Sequence, residues 1–102
     1  MLQLRPNCEA CDRELPPDAS DARICSHECT FCADCVENVL HNVCPNCGSG
    51  FVLRPIRPAT ARREGVSLEH QPVSAERVNL SYSRDDIAGL ATATKDVLPE
   101  AR

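Results

Sequence analysis

Aromatic side chains are almost missing from this sequence: one tyrosine, two phenylalanines and no tryptophan in 102 residues. The first half holds only Phe31 and Phe51, and a core of roughly 50 residues so poor in large side chains is marginal without further help. Long apolar runs are missing too. The opening Met1-Leu2-Gln3-Leu4-Arg5-Pro6-Asn7-Cys8 has no leader-like apolar stretch, and no later window approaches a membrane span. No membrane association is expected, and the cytoplasm is the default location. Positive charge is scarce in the first half, where three arginines face eight carboxylates from Met1 to Cys47, a net −5. Such a field repels phosphate backbones, so nucleic acid is not an expected partner. No cysteine follows position 47, and the composition changes near Pro55. One small domain is expected, followed by a segment that is not a second globular domain.

What the chain has instead is cysteine. All eight fall within forty residues, as Cys8-x2-Cys11, Cys25-x3-Cys29-x2-Cys32-x2-Cys35 and Cys44-x2-Cys47. Closely spaced pairs place two sulfurs on one ion through a tight turn, and four pairs supply the eight thiolates of two four-coordinate zinc ions. Structural zinc contributes on the order of 10 kcal/mol apparent at neutral pH, comparable with the whole net stability of a small domain. Metal is therefore the expected source of the missing free energy, and the metal-free module is expected to be unfolded. Disulfides are the competing use of eight cysteines but belong to oxidising compartments.

Between Cys11 and Cys25 the chain is polar and carries Pro16-Pro17, which predicts a loop ending in a short strand around 23–25, with Leu15 and Ile24 as the candidates for burial. Over 33–42, Val36, Val39 and Leu40, with Val43 beyond, have the spacing of one helix face. Cys44-Pro45-Asn46-Cys47-Gly48 reads as a metal-binding turn in which Gly48 permits positive φ. Phe51-Val52-Leu53 suits a further short strand. Residues 4–53 form the expected domain. Residues 54–82 read as a flexible linker, first basic and extended with solvated arginines at Arg54, Arg57, Arg62 and Arg63, then polar and disordered. In 83–98, Ser83 can cap a helix with Ile87, Leu90, Ala91, Thr94, Val97 and Leu98 on one face. Such a helix is marginal alone, and association with a partner or a second copy of the chain is favoured over docking.

Zinc and iron–sulfur compete for the cysteines, because Cys29-x2-Cys32-x2-Cys35 also opens a ferredoxin-type run. That run continues with a cysteine at the position held here by Val39, which favours zinc. Four pairs combine into two sites in three ways, and spacing does not choose. His27 is an alternative ligand that would leave Cys29 unpaired; otherwise it is a solvated loop residue. His41 is expected to interact with the helix C-terminus, and His70 lies in the polar stretch.

The order of the eight cysteines resembles the RING finger, with Cys29 where that family most often has histidine. Cys29-Thr30-Phe31-Cys32 is similar to its His-x-Phe-Cys, and Cys44-Pro45-Asn46-Cys47 to its Cys-Pro-x-Cys. The resemblance covers residues 8–47. It implies a small zinc-stabilised α+β domain with a cross-brace, short strands and one helix. One zinc would be held by Cys8, Cys11, Cys32 and Cys35, and the other by Cys25, Cys29, Cys44 and Cys47. The stretch from Leu4-Arg5-Pro6-Asn7-Cys8 to Cys44-Pro45-Asn46-Cys47-Gly48 more closely resembles a family of short bacterial cysteine-rich proteins catalogued as a domain of unknown function. That resemblance implies metal binding and no activity.

Sites closed by four thiolates keep no open position for water or substrate, so the zinc ions are expected to be structural and the protein not to be an enzyme. The spare carboxylates of the first half read as solvated. The expected function is a zinc-binding protein-interaction or regulatory module with an unidentified protein partner. A RING-type ubiquitin ligase is the alternative, but Ala10 stands where the family presents a larger aliphatic residue and Gly48 where a linchpin Arg or Lys is common. A zinc- or redox-sensitive switch is a further alternative.

Overall fold

The polar stretch after Cys11 brings the chain into a short antiparallel hairpin, seen in a computed structural model that describes all 102 residues. Strand β1 is Ala22–Ile24 and β2 is Thr30–Cys32, with Ala22 opposite Cys32, Arg23 opposite Phe31 and Ile24 opposite Thr30. The strand lies one residue earlier than the sequence predicts because Cys25 already belongs to the hairpin loop. Strand β3, Val52–Leu53, pairs antiparallel with the other edge of β1 and gives the order β2-β1-β3.

β2 runs directly into helix α1, Ala33–Cys35, which widens into a π-helical turn over Val36–Leu40. Its apolar face is buried as the spacing predicts: Val36, Leu40 and Val43 are buried, and Val39 packs beside them. His41 and Asn42 then adopt left-handed backbone, and the Asn42 N–H bonds back to the Val36 carbonyl at 3.0 Å. These groups satisfy carbonyls that a helix end otherwise leaves open.

The main core cluster has twelve buried residues, and six of them are cysteines. Sulfur thus takes the place that large hydrophobic side chains hold elsewhere. Phe31 is fully buried, and its ring meets Phe51 edge-on at a centroid distance of 5.3 Å. Leu15 is buried as expected, whereas Ile24 is half-buried and Ala22 takes the inner position of β1.

The tail is ordered, which corrects the disorder expected of it. Arg54 is 1% exposed, and its guanidinium donates to the carbonyls of Arg5, Leu15 and Pro16 at 2.8, 3.3 and 3.0 Å. Arg57 donates to the carbonyls of Leu2 and Gln71, each at 2.6 Å. Two of the four arginines assigned to solvent therefore fasten the chain, because each guanidinium presents several donors at once to carbonyls left free by non-helical backbone. Further on, the Ser74 N–H bonds to the Leu4 carbonyl, Leu80 N–H to the Glu9 carbonyl, and Val78 exchanges bonds with the Asn7 side chain. Arg77 pairs with Asp12 and Glu14 at 2.8 and 2.5 Å.

Helix α2, Arg84–Thr94, begins at Ser83, whose hydroxyl accepts the Asp86 N–H at 3.1 Å as the sequence predicts. It docks on the π-helical turn and buries Ile87 and Ala91. Leu90, Val97 and Leu98, expected on the same face, are exposed. No helix is long and apolar enough to cross a membrane.

Candidate metal centres

Two tight turns of the same design carry four of the cysteines. In the first, Cys8 N–H bonds to the Arg13 carbonyl and Asp12 N–H returns to the Cys8 carbonyl, both at 2.9 Å. In the second, Cys44 N–H bonds to the Ser49 carbonyl at 2.9 Å and Gly48 N–H to the Cys44 carbonyl at 2.7 Å. The residue after the second cysteine is left-handed in both, Asp12 at φ 65 and Gly48 at φ 81. Glycine adopts that backbone freely, and aspartate tolerates it better than most residues do. The hairpin loop supplies a third turn, in which the Glu28 N–H bonds to the Cys25 carbonyl and the His27 N–H reaches Cys25 Sγ at 3.3 Å.

These turns gather the cysteines in an interleaved way. Cys8 and Cys11 meet Cys32, at the end of β2, and Cys35, at the end of α1, with all four Sγ atoms within 4.8 Å of one another. Cys25, Cys44 and Cys47 form a second group within the same limit. Cys29 is buried at the other end of the hairpin loop, where its carbonyl accepts the Cys25 N–H at 3.2 Å, but its sulfur stands outside the close group. All eight thiols are free. Cys11 Sγ and Cys32 Sγ are 3.7 Å apart. Zinc–sulfur bonds of about 2.3 Å in a tetrahedron put neighbouring sulfurs at about 3.8 Å, so this spacing fits the ion.

Electrostatics lead to the same donor chemistry. Burial pushes the Cys8 and Cys25 thiols up, and pushes Cys35 and Cys44 far above the ordinary thiol range, with neighbouring cysteines adding to the rise in the last two. At Cys47 burial also acts upward, but hydrogen bonds from Ser49, His27 and Cys25 outweigh it and bring the thiol down to about 6. Thiols crowded like this cannot all ionise unless a cation stands among them. The groups thus suit a soft divalent ion and are unfavourable as bare thiolates.

Sequence and comparison now meet. The family described as a protein of unknown function (DUF1272) matches residues 1–57, which include both cysteine groups. The chain belongs to this family. An uncharacterized protein of Rhizobium meliloti (strain 1021) is 56% identical over 78 residues, covering 76% of this chain and 86% of that protein. No solved structure matches. The DUF1272 segment therefore contains every cysteine, while α2 lies beyond it.

Glu9 is the residue at the centres that sequence reasoning missed. Read as a solvated carboxylate, it is 3% exposed and accepts from Arg5 Nη1 at 2.7 Å, the Thr30 N–H at 2.6 Å and Asn46 Nδ2 at 3.4 Å. It links the first cysteine turn to β2 and to the second turn. Its place directly between two ligands was the available signal, because a residue inside a tight cysteine turn is held against the core. His27 is exposed in the hairpin loop, as the sequence predicts, with its Nδ1 at 3.4 Å from the Ser26 hydroxyl and its ring beside Cys47.

Proposed function

We propose that the chain is a two-zinc protein-interaction module with a RING-like cross-brace. Cys8, Cys11, Cys32 and Cys35 hold one ion, and Cys25, Cys29, Cys44 and Cys47 the other. The gathering of Cys8 and Cys11 with Cys32 and Cys35, and of Cys25 with Cys44 and Cys47, supports this reading most strongly. In this reading Cys29, buried in the same hairpin loop as Cys25, completes the second centre. When bound, each zinc supplies a structural crosslink and no open coordination position. The chain's own residues then act as a rigid platform with no reaction of their own.

A surface cavity of about 410 Å³ between β1, α1 with its π-helical turn, and Phe51 is the contact region for a protein partner in this reading. Ala33, Val36 and Phe51 give it an apolar floor, and Arg23, Glu37 and His41 a polar rim. Such a floor and rim suit a short protein segment better than a phosphate backbone. The deciding experiment is native mass spectrometry of protein made without added metal, beside circular dichroism before and after chelation. Two zinc ions per chain with structure lost on chelation support the module. Iron with sulfide, or a folded metal-free chain, overturns it. A photo-crosslinking residue at Glu37, with exposed Arg62 as control, tests the contact region in the host cell; one defined adduct at 37 and none at 62 is expected.

A further inference from the structure

Residues 72–82 cross the molecule without helix or strand, yet their main chain is tied down at intervals. The Ser74 N–H bonds to the Leu4 carbonyl at 2.9 Å and the Leu80 N–H to the Glu9 carbonyl at 2.8 Å. Between these points stands Asn7, fully buried, whose Nδ2 donates to the Val78 carbonyl at 2.9 Å and whose Oδ1 accepts the Val78 N–H at 3.3 Å. A side-chain amide that exchanges two bonds with one residue holds it as a paired residue in a sheet would. These contacts read an extended backbone and need no particular side chain.

A second set of contacts does select side chains. Arg77 sends Nη1 to Glu14 Oε1 at 2.5 Å, and Nη2 to Asp12 Oδ1 at 2.8 Å and to the Asp12 carbonyl at 3.0 Å. One planar fork thus meets two carboxylates and a carbonyl, which a lysine ammonium cannot copy. Three positions on, Leu80 packs against the main core cluster. The hold is nevertheless light. No residue from 72 to 82 is buried, and the ion pairs of Arg77 are exposed, so salt screens them. A segment fastened in this way opens at less cost than the core. The residues that receive it, 4–14, lie within the DUF1272 match over 1–57, whereas the segment itself lies beyond that match. Face and occupant are thus separate parts of the chain.

We propose that residues 4–14 form a docking face for an extended segment of another protein, in which an arginine is followed one and three positions later by apolar residues. Residues 77–80 occupy this face in cis as a tethered competitor, Arg77 on the two carboxylates, Val78 on Asn7 and Leu80 against the core. The partner engages when it displaces the tail. The inference goes beyond the two-zinc reading and concerns a surface other than the cavity at Phe51.

The test uses the full chain and a fluorescein-labelled peptide of residues 72–82, read by anisotropy. Arg77→Glu with Val78→Pro releases the tethered segment, because a carboxylate then faces Asp12 and Glu14 and the N–H that Asn7 accepts is gone. The released chain is expected to bind the peptide roughly tenfold more tightly than the unaltered chain, whose own tail competes at high effective concentration. Asp12→Asn with Glu14→Gln, added to the released chain, is expected to cost roughly fivefold for this peptide and nothing for the Arg77→Ala peptide. A scrambled peptide is expected not to bind. In the unaltered chain, excess peptide is expected to speed hydrogen exchange at amides 78 and 80 and leave 22–32 as they were, a readout that does not depend on the released chain folding. Three results would overturn the docking face: no binding by a released chain whose amides 36–40 keep their protection, equal binding of the scrambled peptide, or tail amides indifferent to the peptide. Peptide binding by a chain that holds fewer than two zinc ions would overturn the two-zinc reading and support the face as a separate feature.

Discussion

At the scale of single residues, the two cysteine turns set out a controlled comparison. Both need a left-handed residue after the second cysteine, and one uses Asp12 where the other uses Gly48. A Cβ built on Gly48 meets nothing within 4 Å, so Gly48→Ala isolates the backbone term. The expected loss is about 1–2 kcal/mol in thermal denaturation of the zinc-loaded protein. Gly48→Asn is expected to lose less, because asparagine, like aspartate, enters that region more readily. Equal losses for the two would show that the glycine is held for another reason. Glu9 tests the link between turns. Glu9→Ala strands the Thr30 N–H and removes the buried partner of Arg5, which costs about 2–3 kcal/mol. Glu9→Gln keeps one acceptor and is expected to lose less, with two zinc ions retained in native mass spectra of both variants.

At the scale of elements, legibility in the sequence followed apolar periodicity. The face of Val36, Leu40 and Val43 was legible, as were β1, β3 and the Ser83 cap, because each depends on local spacing or on one side chain; β2, set among closely spaced cysteines, was not. The docking of the tail was not, because it is made by guanidinium groups and main-chain carbonyls, which leave no apolar pattern. Arg54 shows the difficulty: in sequence it is one of four arginines in a proline-rich stretch, yet it satisfies three carbonyls from the other end of the domain. The cysteines were legible as candidate metal groups, and their interleaved grouping came only through resemblance, since spacing admits three groupings. Arg54→Ala is expected to destabilise the zinc-loaded protein by about 3 kcal/mol, the value of charged hydrogen bonds left unmade in a buried setting. Arg54→Lys is expected to restore little of this, as a single ammonium cannot match the fork that reaches Leu15 and Pro16 together with Arg5. Thermal denaturation in zinc-saturated buffer reads both. Full rescue by lysine would mean that charge alone, and not the fork, holds this segment.

At the scale of the whole molecule, α2 contains no candidate ligand, yet in the two-zinc reading its order is tied to metal. Its buried residues Ile87 and Ala91 rest on the π-helical turn, which follows directly from Cys35 at the first centre. The approach to α2 is fixed by Leu80 on Glu9 and by Val78 on Asn7, both beside Cys8. An eleven-residue helix detached from those supports is too short to persist in water. Nor is there an alternative core for it, because half of the main cluster is cysteine whose burial without a cation leaves crowded thiols in place of a close-packed interior. Structural zinc contributes about 10 kcal/mol or more, which is the size of the entire folding free energy expected of such a domain. Chelation of both ions is therefore expected to remove the helical circular dichroism of α2 together with that of α1, in one transition, and zinc is expected to restore both. Hydrogen exchange resolves the two regions: amides of 87–94 and of 36–40 should lose protection at the same chelator concentration. Protection of 87–94 that outlasts that of 36–40 would mean that the tail holds its helix by contacts other than those with the cysteine module.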